Sequence, residues 1–202
     1  MAYSNFTLPQ VQKEFALVVE EKDDLFAGID EVEVGPALGA LLEEYVPLAA
    51  GLSTEKARSE LIVAPILLEL RRRMGRTIGF FSGIMFDVDL SLGLNGYCDY
   101  LLTRSPALLI LTAPILAVVE AKNENILAGL GQCAAEMVAA RIFNEREGER
   151  ITTIFGVVTT GTNWRFLRLE GRVISLDLHE YPIDQIAKIL GILLHCVGGS
   201  PR

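Results

Sequence analysis

One segment constrains the fold of this chain more than any other. Residues 114–122 are apolar almost without interruption until they end in Glu120-Ala121-Lys122. A run this short and this apolar is typical of a β-strand that is covered on both faces. Helices cover both faces of a sheet in α/β proteins. We therefore predict an α/β fold with a central mixed β-sheet flanked by helices.

The rest of the chain supplies the elements that such a fold needs. Residues 53–74 predict a helix, in which Glu55 complements the positive N-terminal end and Pro65 causes a kink or break near Val63. The predicted elements after it are β-type segments at 77–90, 96–103 and 114–122, a helix at 126–145, a strand at 151–160, a hairpin at 164–178 and a helix at 182–197. The three β-type segments lie close together, so an antiparallel meander is the simplest arrangement. The predicted core order is αβββαβ, followed by a C-terminal hairpin and helix.

The charge divides the chain into two parts. Residues 1–50 contain ten acids and two lysines, whereas the later residues contain sixteen acids and sixteen bases, so the net charge of −8 belongs to the first quarter. We predict an acidic N-terminal extension, residues 1–52, packed on a core domain, residues 53–202. Within the extension, local patterns predict a short helix over 8–14, a short strand over 15–20 and a helix over 37–45.

The sequence also indicates where the protein resides. The N-terminus lacks the basic and apolar regions of a signal peptide, and the apolar runs are short of the roughly 20 residues that span a bilayer. Cys98, Cys133 and Cys196 are widely spaced in apolar surroundings, which indicates buried free thiols in a reducing compartment. We therefore expect a soluble, cytoplasmic protein.

Charged side chains cluster where the apolar strand ends. Glu120 and Lys122 are two residues apart, and alternate residues of a strand point to the same face. Asp99 lies near the start of the preceding strand, so pairing of the two strands would let Asp99 and Glu120 share one cation. Two carboxylates, the backbone carbonyl of Ala121 and waters would suit Mg²⁺ or Mn²⁺. Lys122 would then orient the attacking water or stabilise charge in the transition state.

An Asp followed by Glu-x-Lys resembles the PD-(D/E)XK superfamily of restriction-endonuclease-like nucleases. Gln132, in Gln132-Cys133-Ala134-Ala135-Glu136, is similar to a Gln on the following helix of resolvase-like members, and Glu60 matches an acid that some members supply to the metal. The phrases Thr54-Glu55-Lys56-Ala57-Arg58-Ser59-Glu60-Leu61, Phe81-Ser82-Gly83 and Val119-Glu120-Ala121-Lys122-Asn123-Glu124-Asn125 resemble a group of uncharacterised cyanobacterial proteins with this fold. The superfamily's Pro is absent, because Cys98 precedes Asp99, at a position that varies in the superfamily.

The resemblance implies a metal-dependent nuclease, an endonuclease or an exonuclease that hydrolyses phosphodiester bonds of nucleic acid, in the first instance DNA. The implied catalytic residues are Asp99, Glu120, Lys122 and Gln132, and the implied ligands of Mg²⁺ or Mn²⁺ are Asp99, Glu120, Glu60 and the Ala121 carbonyl. Domains of this kind often form dimers, so a homodimer is an expected assembly, and no membrane partner is expected. The one basic cluster, a candidate for phosphate contact, consists of Arg71, Arg72, Arg73 and Arg76.

Each of these assignments has a simpler alternative. The acid and lysine set could be a structural ion pair at a strand end. Gln132 could cap nearby backbone, and Glu60 could face solvent. Glu136 lies one turn after Gln132 on the same helix face and could share the site, but we expect it to be an outward surface acid. The arginine cluster could compensate the charge at a helix C-terminus. A core that is neutral overall binds phosphate backbones poorly, which leaves open a catalytically silent nuclease-fold protein that serves as a binding or assembly module.

Overall fold

The computed structural model describes residues 2–198, which form one eight-stranded mixed sheet with helices on both faces, as predicted. Met1 and residues 199–202, the outer ends of the two predicted domains, lie outside the described residues. The strands are β1 (Val18–Lys22), β2 (Gly79–Met85), β3 (Tyr97–Thr103), β4 (Ile115–Ala121), β5 (Thr153–Thr159), β6 (Asn163–Glu170), β7 (Val173–Asp177) and β8 (Tyr181–Pro182). Their order across the sheet is β1-β7-β6-β5-β4-β3-β2, and β8 pairs with β6.

The strand pairings follow the predicted meander and hairpin. β2, β3 and β4 are antiparallel neighbours, and β6 pairs antiparallel with both β5 and β7. β5 runs parallel to β4, which the long crossover between them allows. β1 pairs in parallel with β7 and so forms one edge of the sheet. The N-terminal part of the chain is thereby joined to the C-terminal hairpin.

Six α-helices lie among the described residues: α1 (Leu8–Glu14), α2 (Pro36–Leu52), α3 (Glu55–Arg58), α4 (Ala64–Arg73), α5 (Ile126–Arg146) and α6 (Ile186–Cys196). A π-helical segment, Ser59–Val63, joins α3 to α4, so one helical run extends from Glu55 to Arg73. The predicted irregularity near Pro65 is confirmed, because the π-helical turn ends directly before α4, whose second residue is Pro65. Proline has no backbone N–H to donate and displaces the regular hydrogen-bond pattern.

The two faces of the sheet are covered by different helices. α1 and α5 cover the face that carries Val118 and Val158. α2, α4 and α6 cover the face that carries Val119 and Val157. All seven residues of β4 are buried, as its continuous apolar sequence predicts.

The longest helix is a core element. Among residues 2–198, α5 alone is long and apolar enough to cross a membrane by length and composition, but 67% of its most apolar 18-residue window is buried inside the fold. Such burial is typical of the core helix of a soluble protein. The three cysteines are buried and free, as predicted.

Two N-terminal boundaries differ from the prediction. β1 begins at Val18 rather than at residue 15, because its position is set by pairing with β7. α2 extends to Leu52 rather than ending near residue 45. It continues through Pro47 because its buried side chains pack on the core, and this contact outweighs the local cost of the proline.

Candidate active site

The predicted pairing of the two acid-bearing strands is confirmed. Tyr100 on β3 lies opposite Val119 on β4, and one further step in this register brings Asp99 opposite Glu120. The Asp99 carboxylate accepts a hydrogen bond from the Ala121 N–H at 2.8 Å. Burial raises the pKa of Asp99, although the Ala121 N–H and the Lys122 charge oppose the shift. The carboxylate is therefore held at the end of β4 by backbone as well as by its own strand.

Glu120 is a buried carboxyl group with an incomplete set of partners. Its side chain is 2% exposed, and it forms an ion pair with Lys122. The second carboxylate oxygen, Oε2, is buried without a hydrogen-bond partner among the described residues. Burial first, and then the charge of Asp99, raises the pKa of Glu120 to about 8. Burial disfavours the charged form of Lys122, but Glu120, Glu55 and Asp99 together outweigh it, so the pKa of Lys122 lies above its usual value.

Helix α5 brings Gln132 to the ammonium group of Lys122. Asn125 caps the helix by accepting from the Ala128 N–H at 3.3 Å. A Cβ atom at Gly129 would lie 2.6 Å from Val158 and 3.2 Å from the Lys122 stem, so glycine there lets α5 lie directly over the strand ends. The Gln132 Oε1 atom then accepts from Lys122 Nζ at 3.3 Å. The structure thus brings Asp99, Glu120, Lys122 and Gln132 together.

Glu136 lies inside the site and not on the surface. It is fully buried one helical turn after Gln132, and its Oε1 accepts from Gln132 Nε2 at 3.1 Å. The expectation that Glu136 is an outward surface acid is therefore wrong. The sequence gives little sign of this burial, because α5 has buried residues on nearly every side and lacks a clear polar face.

Glu60 lies beside the site and makes a different contact. It lines a cleft of about 260 Å³ next to Asp99, together with Glu55, Lys56 and Ala121. Its side chain is 61% exposed and pairs with Lys56 at 3.3 Å. No contact between Glu60 and the carboxylates of Asp99 or Glu120 is found in the described structure.

Glu55 is a site residue that the sequence assigns only to the helix N-terminus. It lines the same cleft, and its charge adds to the raised pKa values of both Glu120 and Lys122. Glu55 and Glu60 both reach the cleft from a helical run that changes from α to π geometry between them. A regular helix would not align residues five apart, so spacing alone could not have placed them together.

The arginine cluster lies away from this site. Arg71 is sixteen residues beyond Glu55 in the same helical run, which corresponds to about 24 Å along the axis. The Arg72 guanidinium donates two hydrogen bonds of 2.7 Å to Glu69, and Arg73 donates one of 2.8 Å. Arg71 donates to the Ile78 carbonyl at 3.1 Å, and Arg76 is exposed just after the helix. These contacts favour the structural alternative for Arg71, Arg72 and Arg73.

The donor atoms of the site suit a hard divalent cation. Asp99 and Glu120 supply two adjacent carboxylates, and the unpartnered Glu120 Oε2 is a buried acceptor that a cation would satisfy. Across residues 2–198, no group of three or more His, Cys, Asp and Glu side chains is arranged to hold a metal. Mg²⁺ characteristically takes one or two carboxylates and completes its shell with waters, so two carboxylates and the Ala121 carbonyl fit it.

Comparisons of the chain with protein-family models, with curated proteins and with solved structures found no match. The function of the protein therefore has to be inferred from the chemistry of this site.

Proposed function

We propose that the protein is a metal-dependent nuclease with a restriction-endonuclease-like core of the PD-(D/E)XK type. One observation carries the proposal: antiparallel β3 and β4 bring Asp99 opposite Glu120 where Lys122 and Gln132 also converge. The αβββαβ order of the described core agrees with it. Burying two carboxylates beside one ammonium costs free energy, which is characteristic of functional sites.

Each residue of the site has a role in phosphodiester hydrolysis. Asp99, Glu120 and the Ala121 carbonyl would hold Mg²⁺ or Mn²⁺, and the bound ion would polarise the phosphodiester and lower the pKa of water. Glu120 has to lose its proton to bind a cation, and the neighbouring Lys122 ammonium favours that loss. Lys122 would orient the attacking water, and Gln132 accepts a hydrogen bond from its ammonium group. Glu60 would join through water, since its own partner is the exposed Lys56.

We propose DNA as the first substrate to test, with a homodimer as the expected assembly and the cytoplasm as the expected location. The first two proposals come from the superfamily resemblance, and the third is supported by the buried free cysteines and by the burial of α5.

A second candidate is a catalytically silent protein of the same fold that serves as a binding or assembly module. The cleft beside Asp99 favours it, because Lys56 is its one cationic lining residue against Glu55, Glu60 and Asp99 in the described structure. Arg72 and Arg73 of the basic cluster cannot readily supply the missing positive charge, because both are already paired with Glu69. An acidic cleft binds a phosphate backbone weakly unless a cation is present.

Cation binding tests the proposed site directly. Titration calorimetry with Mn²⁺ would compare wild type, Glu120→Gln and the control Glu124→Gln, which changes an exposed acid just beyond β4. We expect wild type and the control to bind alike and Glu120→Gln to bind at least about tenfold more weakly, because a neutral amide replaces an anionic ligand. Equal binding by all three proteins would remove Glu120 as a ligand. Retained binding without cleavage of any nucleic acid would favour the silent module.

A further inference from the structure

A chain of hydrogen bonds extends from the site into the core. Lys122 contacts Glu120 and Gln132, and Gln132 donates its amide to Glu136 at 3.1 Å. Glu136 is fully buried, and its second oxygen, Oε2, is without a partner among the described residues. Neither the resemblance nor the metal chemistry gives this buried acid a role, although a buried polar atom without a partner costs about 1–3 kcal/mol.

The orientation of the Gln132 amide depends on Glu136. Gln132 can present either its carbonyl oxygen or its NH₂ group to Lys122, and only the oxygen attracts an ammonium. An acceptor at Glu136 Oε1 takes the NH₂ group, which leaves the oxygen facing Lys122. If Glu136 offered no acceptor, the amide could rotate and place its two N–H donors against the ammonium.

We propose that Glu136 is a positioning residue which, through Gln132, holds the Lys122 ammonium against the Glu120 carboxylate. The proposal rests on the proposed nuclease function only for its consequence in catalysis. The hydrogen-bond chain itself can be tested whether or not the protein cleaves nucleic acid.

Glu136 acts in this role as a neutral acid. Burial first, and then the Glu120 carboxylate, raises its pKa well above the usual value, and Gln132 offsets this only in part. In the neutral form, a proton on Oε2 would leave Oε1 free to accept from Gln132. Glutamine has the same shape and also presents an acceptor oxygen, so Glu136→Gln should replace the residue without loss.

Two substitutions separate positioning from structural support. Glu136→Met fills nearly the same volume, removes the acceptor and removes the unpartnered oxygen. A structural role predicts that Glu136→Met lowers the melting temperature. A positioning role predicts that Glu136→Met melts at or above the temperature of wild type and that Lys122 becomes less ordered. Such a result is typical of sites where function is maintained at the expense of stability. Met137→Leu, at the adjacent buried position of α5, controls for general disturbance of the helix.

The experiment measures hydrogen exchange of the lysine ammonium groups by ¹H–¹⁵N NMR on the full chain. The chain has five lysines, and Lys122→Ala identifies the signal of interest. We expect Glu136→Met to speed exchange at Lys122 by about tenfold, as when a protected group is released to water, while Glu136→Gln and Met137→Leu stay within about twofold of wild type. Unchanged exchange in Glu136→Met, or a melting temperature of Glu136→Met below that of wild type, would overturn the proposal.

Cleavage assays on the same proteins keep the two proposals distinct. If wild type cleaves, Glu136→Met should lower kcat by about 10- to 100-fold with KM unchanged, as is typical for partners that orient a reacting group. If wild type does not cleave, the nuclease proposal fails, and the exchange at Lys122 still decides the role of Glu136.

Discussion

At the scale of single residues, the site is short of positive charge. Three carboxyl groups, those of Asp99, Glu120 and Glu136, lie near one ammonium group, that of Lys122, and burial raises the pKa of each of the three. In the described structure, a carboxylate oxygen of Glu120 and one of Glu136 are buried without partners. Binding of a cation at Asp99 and Glu120 would relieve the first of these deficits, whereas a proton on Glu136 would remove its charge but leave Oε2 without a partner.

Glu69, a carboxyl group outside the site, has a lowered pKa, in contrast to the raised pKa values of the three carboxyl groups in the site. Hydrogen bonds from Arg72, and then from Arg73, outweigh burial and lower the pKa of Glu69. The folded state therefore binds this proton less readily than the unfolded state, so the stabilisation is complete above the usual carboxyl pKa and is lost as the pH falls through the lowered value. We expect Glu69→Gln to be less stable than wild type at pH 7, with a difference that disappears in acid. Urea unfolding of the two proteins at pH 7 and pH 3 measures the difference in their free energies of unfolding.

The control for Glu69 is Glu44→Gln, which changes an exposed acid on α2. It should match wild type at both pH values, because exposed acids contribute little to stability. A Glu69→Gln protein as stable as wild type at pH 7 would show that the two arginines gain as much from water as from Glu69.

The sequence allows prediction of the residues whose position follows from strand alternation. Asp99 and Glu120 lie on paired strands and Lys122 directly follows the second, so a period of two and one correct pairing place them together. Glu136 and Glu55 could not be predicted in the same way. The first lies on a helix that is buried on nearly all sides, and the second reaches the cleft from a helical run of mixed geometry.

At the scale of elements, close approach depends on particular glycines. At Gly131 on α5, an added Cβ would overlap the backbone of Phe6 and Thr7. At Gly39 on α2, it would meet nothing within 4 Å. Both glycines lie inside helices, where alanine is intrinsically more favourable by about 0.5–1 kcal/mol. The surroundings of the two positions, rather than their secondary structure, therefore decide the outcome of substitution.

We expect Gly131→Ala to destabilise the protein by about 1–3 kcal/mol, because the N-terminal segment must move to admit the methyl group. Gly39→Ala should stabilise it by about 0.5–1 kcal/mol. Urea unfolding curves of the two variants and wild type measure both effects. Stabilisation of the protein by Gly131→Ala would mean that the N-terminal segment does not pack tightly on α5.

The elements themselves were predicted well where local pattern determines them. The β2–β4 meander, the β6–β7 hairpin and α5 follow from apolar periodicity and turns. β1 and the far end of α2 depend on partners distant in sequence, namely β7 and the core beneath α2. Propensity at Phe15 and Pro47 could not reveal these partners, because tertiary contacts override weak local preferences.

At the scale of the whole molecule, residues 2–52 hold the two helical layers to the sheet. Phe6 packs against α5, the Asp30 carbonyl approaches Gly191 on α6, and the Glu33 carbonyl accepts from Arg73. Nine apolar residues of this part of the chain are buried: Tyr3, Phe6, Val11, Leu17, Phe26, Val32, Leu38, Leu42 and Ala49. Burial of one large apolar side chain is worth about 1.5–3 kcal/mol, so together these residues contribute as much as the net stability of a typical domain.

A chain that begins at Ser53 should therefore fail to unfold cooperatively. We expect its thermal transition to be broad or absent, whereas full-length protein melts in one transition. Differential scanning calorimetry of the two proteins measures this. A sharp transition of the shortened chain close to that of full length would show that residues 53–202 form an independent domain and that the first 52 residues are an accessory.

The most direct test of the account is cleavage of supercoiled, linear, single-stranded and branched DNA and of RNA, with Mg²⁺ or Mn²⁺, by wild type and Lys122→Ala. Lys22→Ala is the matched control, because Glu20-Glu21-Lys22 repeats the acid-x-Lys spacing on an edge strand where the ion pair is 2.9 Å long and nearly half exposed. We expect wild type and Lys22→Ala to cleave at least one substrate and Lys122→Ala to cleave it at least about a hundredfold more slowly. Equal cleavage by all three proteins would contradict the proposed role of Lys122, and no cleavage of any substrate by wild type would contradict the proposed nuclease function.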